Sequence, residues 1–242
     1  MTELLYHLNS YQKEFDAQVN VSNEELHAIQ LDKTCFYPGG GGQPYDSGSL
    51  ISSTGIDLGF NRARIINGEH WHILDSEKTL PEIGKSVHGI ISWDNRYRLM
   101  RTHTAMHILC GVVFRDYGAL VTGGDMQPLE ARMDFEFESM TKELVAVIEA
   151  AVNKEVQFAH PIQVKIQSRE EAFKIPDLIR TKINLLPEHV SEIRTVEIVG
   201  LDLQADGGTH VANTKEVGKI HITDYKSKGK INKRIYVTVE DY

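Results

Sequence analysis

The spacing of apolar positions along the chain changes near residue 93. Before that point Val, Ile and Leu fall in short runs broken by Gly, Ser and Thr, as in HAIQL (27–31), GFNRARII (59–66), HWHIL (70–74) and VHGIIS (87–92). Runs of this length bounded by turn residues read as strands, and Asn67-Gly68 and Ser53-Thr54-Gly55 supply turn signals between or near them. The pattern predicts a small β-barrel-like domain. A polar segment, Asp75–Lys85, carries Pro81 and Gly84 and marks the approach to a boundary, so domains are expected at 1–92 and 93–242.

From Asp94 to Tyr117 the period becomes helical: Leu99, Met106, Leu109, Val112 and Val113 recur at three- and four-residue spacings, and Gly118 is a stop signal. A second helix is expected after Ser139, with Leu144, Val147, Ile148, Ala151, Val152 and Val156 as its apolar stripe and Ser139 or Thr141 as its cap. Short strands are expected at Ala131–Phe137, Pro161–Gln167, Ile193–Val199, Glu216–Tyr225 and Lys233–Val239. Helices followed by mostly antiparallel strands give a two-layer α+β domain. The chain as a whole reads as α+β, with no internal repeat and no low-complexity segment.

Composition adds limits. With 41% hydrophobic and 25% charged residues in 242, the chain has the make-up of an ordinary globular protein. No apolar run approaches the roughly 20 residues a membrane span needs. The start, MTELLYHLNSYQKEF, lacks the features of a secretory signal, so a cytoplasmic location is expected. In that setting Cys35 and Cys110 read as reduced, buried thiols. A net charge of -8 argues against a protein that coats nucleic acid nonspecifically, since that binding runs on clustered cations. It leaves a specific RNA partner open. Arg96, Arg98 and Arg101 form one basic group and Lys226–Arg234 another; such grouping marks either a solvated face or an RNA contact.

Candidate chemistry lies in two places. His103 and His107, in RTHTAMHILC, are four residues apart on the expected helix, so both imidazoles leave one face at the separation a single ion needs. Far downstream, Asp206 and His210 sit in DGGTH, where two glycines permit a tight loop. Either half alone is ordinary; together His103, His107, Asp206 and His210 form a candidate zinc site. The backbone N–H groups of Gly207 and Gly208 are either oxyanion donors or part of a plain turn. Gly39–Gly42 lacks the Gly-Lys-Ser/Thr ending and following helix of a phosphate cradle, which leaves a barrel corner or loop. Cys110 follows His107 by three residues with no separate base beside it, and is expected to pack in the core.

RTHTAMH, then DLQADGGTHVANTKEVG about a hundred residues later, resembles the editing domain of alanyl-tRNA synthetase and its freestanding AlaX-type relatives; that of threonyl-tRNA synthetase carries a similar pair. FYPGGGGQPYDSG matches the glycine motif that precedes the editing domain in the longer AlaX proteins, so nearly the whole chain is covered. The resemblance implies a barrel-like first domain, an α+β editing domain, bound Zn2+, and hydrolysis of mischarged tRNA(Ala), chiefly Ser-tRNA(Ala) with Gly-tRNA(Ala) second. It also implies that Gly41, Gly42, Gln43 and Asp46 help shape the pocket. Arg132 and Asp134, in ARMDFEF, match a strand motif of the family, as scaffold or as RNA-end contacts. Thr122, in LVTGGDM, falls where the family has a polar pocket residue, so it is the candidate partner of a serine hydroxyl; otherwise it is a turn threonine. The family's downstream half-motif usually begins with Cys, where this chain has Asp206. Asp206 therefore either binds zinc through one oxygen or stands behind three histidines and orients a water at an open fourth position. Two other functions fit the same residues: a metal-stabilised tRNA-binding module without catalysis, and a metallohydrolase acting on another small ester or amide.

Overall fold

The computed structural model describes residues 2–182 and 190–241. Two compact units make up the chain, Met1–Gly40 with Pro44–Tyr97 and Gly41–Gln43 with Arg98–Tyr242. The division thus falls a few residues inside the first long helix, and three residues of the glycine-rich segment are grouped with the second unit. No described helix is long and apolar enough to cross a membrane.

The first unit is built of strands: β1 (Glu3–Leu4), β2 (Glu14–Asn23), β3 (Ala28–Leu31), β4 (Lys33–Thr34), β5 (Gly48–Ser52), β6 (Phe60–Ile66), β7 (Glu69–Leu74) and β8 (Ser86–Ile91). Six of them form an antiparallel sheet in the order β5-β8-β2-β3-β7-β6. β2 serves both halves. Its first residues pair with β8 and its last with β3, and the register shifts between Val19 and Val21, an irregularity of the kind that bends a strand and curls its sheet. No pairing among the described residues joins β5 to β6, so the sheet is curled and open-edged. Asn67 and Gly68 both take positive φ, 52° and 81°, the conformation that closes a two-residue hairpin between β6 and β7. Phe15, Val19, Leu31, Phe36, Leu50 and Phe60 are buried together, with Phe36 and Phe60 stacked at 4.1 Å.

The second unit contains α1 (Trp93–Tyr117, from Arg98 onward), β9 (Val121–Gln127), β10 (Glu130–Glu136), α2 (Lys142–Gln157), β11 (Ile162–Ser168), α3 (Arg169–Ala172), β12 (Glu192–Ile198), β13 (Asp202–Ala205), β14 (Ile220–Ser227) and β15 (Asn232–Val239). These strands make two antiparallel sheets, β14-β15-β10-β9 and β11-β12-β13. From Leu99 to Val113 every residue of α1 is buried, so the helix is a core element on all its faces. Thr141 caps α2 by accepting the Leu144 N–H at 3.2 Å. The buried stripe of α2 is Val145, Ile148, Val152 and Val156; the expected stripe member Val147 is 57% exposed, because one residue of offset turns a helical side chain by about 100°. Glu216, expected in a strand, lies in a short 3₁₀ turn, and the strand begins only at Ile220, past Gly218 with its φ of 80°. Asn153 ties α2 to β14 by a reciprocal pair of bonds with Ile220, at 2.7 and 3.0 Å. Both cysteines are free and buried.

Candidate metal centre

The α-helical repeat puts His103, His107 and Cys110 along one face of α1. The period of two in β13 puts Asp202 and Gln204 on one side, and Asp206, just past its end, continues the series. The two series meet in order. His103 Nε2 lies 3.5 Å from Asp206 Oδ1, His107 Nδ1 lies 3.4 Å from Asp202 Oδ2, and Gln204 Nε2 donates to Cys110 Sγ at 3.3 Å. Gly111 on α1 makes this approach possible: a Cβ there would sit 2.9 Å from Asp202 Cβ.

His210 follows through the turn, its Nε2 3.0 Å from Asp206 Oδ2 and its Nδ1 3.1 Å from Thr104 Oγ1. His103, His107, Asp206 and His210 each offer a ligand atom, all within 4.8 Å of one another. The three imidazole rings lie 4.2, 4.6 and 5.0 Å apart. Burial pushes the His103 pKa well below its ordinary value and that of His210 down to about 4, despite Asp206. Burial acts on His107 in the same direction, but the Asp202 carboxylate 3.4 Å away and the charge of Asp206 outweigh it and the pKa rises. Burial also works to raise Asp206, and the imidazoles of His103, His210 and His107 together hold it well below the usual carboxylate range.

These residues fit a divalent ion. His103 Nδ1 is buried with no hydrogen-bond partner among the described residues, its Nε2 lies 3.5 Å from Asp206, and burial favours the neutral ring, the form that ligates a metal. Three imidazoles and one carboxylate are a donor set that a tetrahedral ion such as zinc accepts. The two Asp206 oxygens are used differently. Oδ2 accepts the Gly208 N–H at 2.8 Å and faces His210, while Oδ1 is the oxygen turned toward His103. Arg194 Nη1 donates to the Asp206 carbonyl at 2.8 Å and lies 3.5 Å from Oδ2.

The DGGTH turn is clamped from the glycine-rich segment. Gln43, 3% exposed, donates from Nε2 to Thr209 Oγ1 at 2.8 Å and accepts the Thr209 N–H on Oε1 at 3.0 Å. Gly208 is required for close approach, since a Cβ there would lie 2.3 Å from His103 Cε1 and 2.7 Å from Gln43 Oε1. Gly42 accepts the Met126 N–H at 3.2 Å, which docks the segment on β9, and Gly41 beside it is exposed.

Of the proposed oxyanion donors, the Gly208 N–H is occupied by Asp206, whereas the Gly207 N–H makes no bond among the described residues. Asp46 is buried and fully engaged within the first unit, accepting the Tyr37 N–H at 2.6 Å and the guanidinium of Arg96. Its carboxylate is thus tied into the fold of that unit. Thr122 is exposed and donates to Asn232 Oδ1 at 2.9 Å; among the described residues no bond links it to the four donors. Arg132 lies 3.5 Å from Asp125 and 4.0 Å from Asp134, which is itself held by Arg234. Sequence reading passed over Thr104, Asp202 and Arg194. A signal existed for Asp202 alone, in its alternation with Gln204 and Asp206.

A mixed α+β chain whose potential metal donors are split between a buried helix and a distant glycine turn has the construction of a synthetase-type editing domain. The family described as threonyl and alanyl tRNA synthetase second additional domain matches residues 193–236, and that described as tRNA synthetases class II (A) matches residues 4–95. The chain is 41% identical over 243 residues to the alanyl-tRNA editing protein AlaX-M of Saccharolobus solfataricus, covering 99% of this chain and 100% of that one. With the AlaX-M of Methanosarcina barkeri the identity is 37% over 244 residues, covering both chains in full. The alanine–tRNA ligase of Ignicoccus hospitalis is 38% identical over 232 residues, which is 91% of this chain and 24% of the ligase. The chain belongs to the AlaX-M family of alanyl-tRNA editing proteins.

Proposed function

We propose that the protein hydrolyses mischarged tRNA(Ala) in trans, releasing chiefly serine and secondarily glycine, with Zn2+ held by His103, His107, Asp206 and His210. The observation that carries this reading is the four-donor cluster in a chain that matches AlaX-M relatives along its whole length. Zinc supplies Lewis-acid chemistry when bound, polarising a carbonyl or lowering the pKa of a water. The chain's own groups do the remaining work. Thr104 holds His210 through Nδ1, which leaves Nε2 for the ion, and the Asp202 carboxylate stands 3.4 Å from His107 Nδ1, on the side away from the ion. The Gly207 N–H is the donor left for the oxygen that becomes anionic when the aminoacyl ester is attacked. Asp206 would hold the ion through Oδ1, since Oδ2 accepts the Gly208 N–H.

Alanine is smaller than serine and enters any pocket serine enters, so selectivity rests on pairing with the serine hydroxyl. A site built for a hydroxyl rejects the analogue lacking it by about 10⁴ to 10⁵. Thr122 is assigned this role: its proton goes to Asn232, which leaves its lone pairs to accept from serine. Thr122→Val should slow seryl-tRNA hydrolysis with zinc content intact and glycyl-tRNA hydrolysis less affected. An unchanged serine-to-glycine ratio of single-turnover rates removes Thr122 from selectivity. The function itself is tested by incubating the protein with Ser-tRNA(Ala), Gly-tRNA(Ala), Ala-tRNA(Ala) and a small seryl ester, with and without chelator. Chelator-sensitive loss of serine from tRNA with alanine spared is the expected result. Hydrolysis of the small ester alone would mark another metallohydrolase, and no hydrolysis at all a binding module.

A further inference from the structure

The fold treats the two basic groups of the sequence differently. Arg96 and Arg101 are buried, one against Asp46 and the other donating to the carbonyls of Val217 and Glu240; Arg98 pairs with Asp241 at 3.0 Å. The second group remains at the surface, at the turn that closes the β14–β15 hairpin. Lys226, Lys228 and Lys230 are exposed there, on a chain whose net charge is -8. Lys233 is buried instead, its ammonium donating to the carbonyls of Gly229 at 2.8 Å and Lys230 at 3.0 Å, so the turn that carries Lys228 and Lys230 is tied down.

In the register of this hairpin Lys226 stands directly opposite Arg234, and like charges facing across an antiparallel pair destabilise it. Asp134, across from Arg234 on β10, takes the guanidinium at 2.7 and 2.8 Å and offsets that charge. Lys226 has only the exposed Asp224 at 3.4 Å, and Lys228 and Lys230 make no ion pair among the described residues. The cations gather about one aromatic ring. Lys226 Nζ lies 5.0 Å from the Tyr236 centroid and the Arg234 guanidinium 5.9 Å. A hydrogen bond from Arg234, then the charges of Lys226, Arg234 and Lys228, hold the Tyr236 phenol below its ordinary pKa. A pre-set turn, an excess of cations and an accessible ring match a phosphodiester chain bearing flat bases.

We propose that this end of the β14–β15 hairpin, with Lys226, Lys228, Lys230 and Arg234 around Tyr236, holds the backbone of the tRNA substrate. The proposal rests on the editing reading above for the identity of the RNA. The intact protein is used for the test, as wild type, Lys228→Glu with Lys230→Glu, and the milder Lys228→Gln with Lys230→Gln. Binding of uncharged tRNA(Ala) is measured by fluorescence anisotropy between about 50 and 200 mM salt, where affinity falls by roughly 0.9 log units per log unit of salt for each phosphate neutralised. The Gln pair should lower that slope by about 2, and the Glu pair should also raise Kd by about tenfold or more at the low-salt end. KM for Ser-tRNA(Ala) should rise with them, with kcat and the rate on a small seryl ester unchanged. Unchanged Kd and slope overturn the proposal. A wild type that binds tRNA with this salt and variant dependence, yet deacylates nothing, supports the surface and overturns the editing reading.

Discussion

At the scale of single residues the centre depends on close approach. Gly208→Ala would drive a methyl group into the His103 ring and Gln43, and the turn would have to move away from α1. Metal content should fall to a small fraction of wild type, measured on the purified variant, with far-ultraviolet circular dichroism unchanged; full occupancy would contradict the geometry. Asp206 separates two roles. Asp206→Cys keeps a donor and should keep zinc, whereas Asp206→Ala should lower zinc affinity about 10-fold or more if Oδ1 is a ligand. Normal affinity with a reduced rate would make Asp206 an orienting group instead. The four donors were readable in the sequence because each pair is local, His103 with His107 and Asp206 with His210. Thr104 and Arg194 were not, since each acts across elements on a residue distant from it in the chain, and Asp202 showed only in its alternation with Gln204 and Asp206. Nothing local to Asp46 announces that Arg96, fifty residues away, takes its carboxylate.

At the scale of elements, α1 and β13 build the centre by matching a helical repeat to a strand repeat. Burial of α1 on all faces explains why its periodicity was only partly informative: Arg96, Arg101, Thr102 and Thr104 are buried polar positions that a hydrophobic pattern does not count. Arg96 joins the start of α1 to the glycine-rich segment through Asp46 and to the Cys35 carbonyl at 2.6 Å. Removing one partner of a buried ion pair leaves the other charge uncompensated and costs about 3 to 5 kcal/mol. Asp46→Ala should therefore lower stability by about that amount in urea unfolding, with metal content per folded chain unchanged. A change below about 1 kcal/mol would contradict the role assigned to the pair. The hairpin of β6 and β7 was legible from Asn67-Gly68 because that turn is local chemistry. β2 carries a different signal: Glu14, Asp16, Gln18 and Asn20 alternate with the buried Phe15, Ala17 and Val19, a period of two that unbroken apolar runs do not show. β9 escaped notice because Gly123-Gly124 reads as a loop, yet its pairing with β10 holds it extended.

At the scale of the whole molecule, acid should act through buried histidines, two of which lie outside the metal centre. His70 and His72 are buried in the first unit, bonded to the Phe36 carbonyl at 3.2 Å and Thr34 Oγ1 at 2.9 Å. Burial lowers His70 from 6.5 to about 4, and His72 shifts the same way. The unfolded chain thus takes up a proton below its ordinary value that the folded chain excludes, so stability is complete above pH 6.5 and falls as pH drops toward 4. The contribution of His70 is on the order of 3 kcal/mol. Thermal melts across that window should show a steep loss in the wild type and a shallower one in His70→Gln. Equal slopes would contradict the assignment. The central claim, that deacylation depends on an ion held by His103, His107, Asp206 and His210, is tested most directly by counting metal and activity on one sample. The protein is stripped with chelator, titrated with zinc, and its single-turnover rate on Ser-tRNA(Ala) measured at each step. The account predicts that activity is lost on stripping and returns in proportion to zinc up to about one ion per chain, with no recovery in His210→Ala. Full activity in protein free of divalent metal would contradict it.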